Sequence, residues 1–72
     1  MIIKFNVFGK QMSIIKIDKE WQLFNESDTG LRSRVYDIVV PSDLESSELG
    51  TYLDDIYHEY STEKHPEVIE ID

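Results

Sequence analysis

Three short apolar runs separated by two-residue breaks constrain the first third of this chain more than any other feature. Residues 2–8, Ile-Ile-Lys-Phe-Asn-Val-Phe, alternate with period 2. Ile3, Phe5 and Val7 therefore share one face of a strand, and Ile2, Lys4, Asn6 and Phe8 the other. Gly9-Lys10 predicts a tight turn, with Gly supplying the positive φ. Residues 11–17 are rich in β-branched Ile14, Ile15 and Ile17 and predict a second strand. After the break Asp18-Lys19, residues 20–25 predict a third, with Trp21 and Leu23 on one face and Phe24 on the other. Asn25 to Gly30 is the clearest loop signal in the chain. Residues 31–40 predict a fourth strand ending in Asp37-Ile38-Val39-Val40, stopped by Pro41, which cannot donate to a ladder. Connections this short join antiparallel neighbours, so the four runs predict a meander.

The periodicity then changes. Leu49, Tyr52, Leu53, Ile56, Tyr57 and Tyr60 recur at helical spacing and fall on one face about 140° wide. This predicts a helix over about 45–61. Its start is open between a capping box of Ser42 with Glu45 and a cap at Ser46 or Ser47 after an extended lead-in. Gly50 lies at the edge of the apolar face, where it either lets the helix approach the sheet closely or is a tolerated surface glycine. His65-Pro66 biases against further helix, and residues 62–72 form a tail whose Val68, Ile69 and Ile71 pack, pair on an edge or fray. The expected fold is α+β: a four-stranded antiparallel meander with one C-terminal amphipathic helix on one face (ββββα), in a single domain over 1–72 with the sheet over about 2–40.

Four blocks, Phe5-Asn6-Val7-Phe8-Gly9, Asp37-Ile38-Val39-Val40-Pro41, Tyr52-Leu53-Asp54-Asp55-Ile56-Tyr57-His58-Glu59 and His65-Pro66-Glu67-Val68, resemble those of a short bacterial family of unknown function. The resemblance covers most of the chain and implies a bacterial, single-domain protein. It carries no assigned activity and no site, and Gly50 departs from the better helix former expected at its position.

A domain of this size buries only about 60% of its unfolded surface and is marginal without help. Cysteine is absent, which excludes disulfides and thiolate metal sites. A hydrophobic content of 40% with 11% aromatics argues against disorder. Neither a secretory signal nor an apolar stretch long enough to cross a bilayer is visible, so a cytoplasmic setting without membrane contact is expected. Acids and bases are segregated. Residues 1–34 carry four acids and six bases (+2), and residues 35–72 carry eleven acids and one base, Lys64 (−10), which sum to the net −8. Such a chain should repel nucleic acid and attract a basic protein partner. Arg32 and Arg34, two apart on one strand face, could offset the acidic helix.

Chemistry is thinly represented. The serines and histidines show no strained-turn nucleophile signature, and Gly9, Gly30 and Gly50 are isolated, which excludes a glycine-rich phosphate cradle. Asp54 and His58 are i,i+4 neighbours that could bind a divalent metal if His65 supplied a third ligand, making a metal-dependent accessory factor or enzyme the alternative reading. A nucleic-acid mimic that inhibits a DNA- or RNA-handling protein is another. The leading expectation is a small acidic, non-enzymatic interaction or regulatory module without a cofactor, recognising a protein through Glu48, Asp54, Asp55 and Glu59. Both sheet faces carry large apolar residues, so a homodimer through the face away from the helix is also expected. A one-residue register slip exchanges the faces, so the pattern leaves open whether the set of Ile3, Phe5, Val7, Trp21 and Leu23 or that of Ile2, Phe8, Ile15, Ile17 and Phe24 meets the helix.

Overall fold

The structure, a computed structural model, describes residues 1–27, 29–61, 63–64 and 66–71. Strands β1 (Ile2–Val7), β2 (Lys10–Ile17), β3 (Glu20–Glu26) and β4 (Arg32–Arg34) form the expected antiparallel meander, and β5 (Val68–Ile71) adds a fifth strand. The sheet order is β4-β3-β2-β1-β5. The helix α1 spans Leu49–Tyr57, flanked by 3₁₀ turns at Ser46–Glu48 and His58–Tyr60. The chain thus crosses one face of the sheet between its two edges, and the α+β class holds with five strands in place of four.

Both tight turns sit in left-handed backbone. Phe8 and Gly9 have φ of 52° and 91°, and Asp18 and Lys19 have 50° and 66°. Positive φ at both central residues is the backbone that matches the twist of two-residue hairpins. The first turn is therefore Phe8-Gly9 rather than Gly9-Lys10, and Lys10 joins β2 opposite Val7. The Gly9 N–H donates to Asn6 Oδ1 at 2.7 Å, which fixes the turn. A left-handed phenylalanine costs about 1–2 kcal/mol, offset here by burial of its ring. Phe8 belongs to the core because it leaves the strand before its face is set.

The register decides which face is inner. Ile3 pairs with Ile14, Phe5 with Met12, and Ile14 with Leu23. These residues, with Val7 and Trp21, lie under the helix, where Leu49 and Leu53 complete the buried core. Tyr52, Ile56 and Tyr57 pack against it half-buried, but Tyr60 is 60% exposed. The α-helix ends at Tyr57, and Tyr60 falls in the 3₁₀ turn that follows, where its ring stays beside that of Tyr57 at 6.0 Å between centroids. Gly50 sits over Phe5. An added Cβ would lie 3.6 Å from Phe5 Cε1, an ordinary contact, so this approach does not require glycine.

β4 is much shorter than the predicted 31–40. After Val35, whose N–H still donates to the Leu23 carbonyl at 2.9 Å, the chain leaves the sheet and runs over the edge of the core. Val40 is buried, and Val35, Ile38 and Leu44 pack partly while Asp37 and Val39 stay exposed, so Ile38 and Val40 serve packing rather than pairing. Side chains take up backbone acceptors of this segment. Tyr52 Oη donates to the Val39 carbonyl at 3.0 Å, and Trp21 Nε1 donates to the Leu44 carbonyl at 2.9 Å. The expected tail contributes β5, antiparallel to β1 with Val68 opposite Val7 and Ile71 opposite Lys4.

Candidate functional site

The expected acidic residues start from the helix N-terminus. The Glu45 N–H donates to Glu48 Oε1 at 3.0 Å, and the Glu48 N–H donates to the Glu45 carbonyl at 2.9 Å. Glu45 therefore opens the helical segment, and not Ser42, Ser46 or Ser47. One oxygen of Glu48 is engaged in capping, where the positive end of the helix dipole favours its charge. Asp54 is half-buried, with Oδ1 3.7 Å from His58 Nδ1, a loose i,i+4 pair. Asp55 and Glu59 are exposed, and among the described residues neither makes an ion pair or a side-chain hydrogen bond. Glu59 lies in the 3₁₀ turn, so Asp55 and Glu59 do not share a regular α-helical face.

Asp54 and Asp55 line a shallow groove of about 180 Å³ with Gly50, Thr51, Glu67 and Val68. Asp55 also borders a second groove of about 290 Å³ with Leu44, Ser47, Glu48, Thr51 and Tyr52. No local pattern assigns Glu67 to this groove, because only the pairing of β5 with β1 brings it beside the helix. His65, the suggested third metal ligand, lies outside the described residues. Among the described residues, no group of three or more His, Asp or Glu is placed to hold a metal ion.

The opposite surface, the sheet face away from the helix, has a different electrostatic character. Ser13 is fully buried there, and its hydroxyl donates to Glu26 Oε2, which also accepts from Arg32 Nε. The Arg32 guanidinium, then the Ser13 hydroxyl, holds the Glu26 carboxyl below the ordinary carboxylate range. Arg32 also lies over the Phe24 ring, 5.9 Å from its centroid. Arg34 faces Glu20 at 3.7 Å and the Tyr36 ring at 5.3 Å. The two arginines thus pair within the sheet and do not offset the helix. The same face carries Ile2, Ile17, Ile69 and Ile71 at 46%, 40%, 51% and 39% exposure.

A third feature is a cavity of about 230 Å³ between the β1–β2 turn and the end of the helical segment, lined by Val7, Phe8, Lys10, Met12, Tyr57 and Tyr60. Burial, then the nearby Asp37, Tyr60 and Tyr52, pushes the Tyr57 hydroxyl above its ordinary range, so it stays protonated. The cavity brings no nucleophile beside a base. Ser13, the buried serine, bonds to a carboxylate rather than to an imidazole. Among the described residues, no helix is long and apolar enough to cross a membrane.

No curated protein and no solved structure matches this chain. The family described as Domain of unknown function (DUF7661) matches residues 2–72, and the chain belongs to that family.

Proposed function

We propose that this chain is a small, acidic, non-enzymatic interaction module whose helix side recognises a basic protein surface. The observation that carries this reading is the state of Asp55 and Glu59, exposed and unpaired among the described residues. Asp54 and Glu67 extend their negative charge along the adjoining groove. Exposed, uncompensated charges add little to stability, and they speed encounter with a cationic partner. Glu48 is the weakest contributor of the four helix acids, because it also caps. The same reading includes a bacterial, cytoplasmic setting, supported by the resemblance of the sequence blocks and the lack of cysteine. With a net charge of −8, no direct contact with DNA or RNA is proposed, since such binding rests on neutralising phosphates.

The test is chemical cross-linking in cell extract followed by titration of the purified partner at low and high salt. Asp55→Lys/Glu59→Lys is expected to weaken that titration about tenfold at low salt, with the difference shrinking at high salt. Equal affinity of both proteins at low salt would sink the reading. The metal alternative is tested separately by titrating zinc or manganese against the His58 imidazole signals; saturable shifts at micromolar metal would favour it.

A further inference from the structure

We propose that the sheet face away from the helix is the contact surface of a two-fold homodimer. The proposal goes beyond the helix-side reading and shares none of the four helix acids with it. By register, Ile2, Ile15, Ile17, Phe24, Ile69 and Ile71 all point to this face. Ile15 and Phe24 are half-buried, and the other four are the exposed isoleucines described above. That is a large apolar share for the uncovered side of a small domain.

Ser13, Glu26 and Arg32 on this face are satisfied among themselves, whereas Arg34 Nε is buried without a hydrogen-bond partner. Ser13 and Arg32 both donate to Glu26, and Ser13 has no exposure even in the isolated chain. That closed set can be dried by a partner without leaving an orphaned charge, while Arg34 Nε needs an acceptor from the partner.

Charge permits a second copy as that partner on this face and disfavours it on the helix side. Lys4, Arg32 and Arg34 against Glu20 and Glu26 leave this face at 3 − 2 = +1, on a chain of net −8. The remaining −9 lies elsewhere, so two copies meeting through the helix side would repel, and two meeting here would not. Lys4 makes no ion pair among the described residues. Glu20 has a side-chain exposure of 59% and holds Arg34 only at 3.7 Å. A two-fold axis can therefore bring Lys4 of one copy toward Glu20 of the other, giving a self-complementary surface.

The area fits as well. The five strands hold 28 residues, which at about 3.3 Å per residue and about 4.8 Å spacing present about 440 Å² in projection, or about 900 Å² for two copies. That area is in the range of weak, transient interfaces and suits a dimer of micromolar or lower affinity. The acidic helices would then point outward on both sides of the assembly.

Sedimentation equilibrium of the full chain over roughly 1–200 micromolar tests this. The mass is expected to rise from 8.5 kDa toward twice that value. Ile2→Lys/Ile17→Lys, at two exposed positions, is expected to stay monomeric throughout, with a thermal midpoint within about two degrees of the parent at low concentration. Asp55→Lys/Glu59→Lys is expected to dimerise like the parent, which separates this proposal from the helix-side reading. Should the isoleucine variant fail to fold, concentration-dependent amide shifts of the unaltered chain are expected at Ile15 and Phe24 and not along α1. A parent chain that remains at 8.5 kDa across the range overturns the proposal. So does an isoleucine variant that dimerises like the parent, or amide shifts confined to the helix.

Discussion

On the helix side, Asp55 and Glu59 stand in solvent with no ion pair among the described residues, and Asp54 reaches only a loose contact with His58. On the far side of the sheet, Glu26 is the mirror case: it is held by Arg32 and Ser13, and its side chain is 15% exposed. The two sets share residue chemistry and differ in what folding does with the charge. Exposed carboxylates gain little from the fold and repel each other, while Glu26 is woven into the sheet by charge-assisted bonds. The contrast teaches that net charge alone does not mark a recognition surface. What matters is whether the charge is already spoken for.

The largest way to break this comparison removes the layer that separates the surfaces. Leu53 is fully buried between α1 and the sheet. Leu53→Ala is expected to cost about 2–5 kcal/mol in chemical denaturation, enough to unfold a domain this small. A loss below about 1 kcal/mol would show that the helix does not rest on the sheet as described.

Glu26→Gln comes next. Losing one charge-assisted acceptor is expected to cost about 1–3 kcal/mol at neutral pH. The folded carboxyl is held below its unfolded value. Its extra stability is therefore present above the ordinary carboxylate range and lost as pH falls through the folded value. The gap between parent and Glu26→Gln is expected to narrow as pH falls below the ordinary carboxylate range, as read by denaturation over a series of pH values. A gap that is constant with pH would mean that Glu26 does not act through its charge.

A smaller effect sharpens the geometry of the helix side. Gly50→Ala places a methyl in ordinary contact with Phe5 and restores helix propensity. It is expected to raise stability by about 0.5–1 kcal/mol. A loss instead would show that α1 lies closer to the sheet than its contact with Phe5 indicates.

The legible and illegible parts of this chain divide along the same lines. β1, β2 and β3 follow from period 2 and two-residue breaks, and Leu49 and Leu53 from helical spacing, because these patterns are local. β5 followed only as one alternative for the tail, because Val68-Ile69-Glu70-Ile71 is short and its partner β1 lies at the other end of the chain. Asp37–Val40 was misread as strand because an apolar block packed irregularly over a core edge has the same composition as a paired one. The exposure of Asp55 and Glu59 could be read from the apolar stripe opposite them. The bonding of Glu26 could not, since it needs the registers of β2, β3 and β4 together to bring Ser13 and Arg32 to one carboxylate.

The most direct test sets the two surfaces against each other in one experiment. Glu26→Gln and Asp55→Asn/Glu59→Gln are unfolded by urea side by side, at low ionic strength and at a protein concentration low enough to keep every chain monomeric. Opposite outcomes are expected: a clear loss for Glu26→Gln, and no change or a gain of a few tenths of a kcal/mol for the helix pair. Similar losses in both would contradict the division of labour between the surfaces and make the helix carboxylates structural.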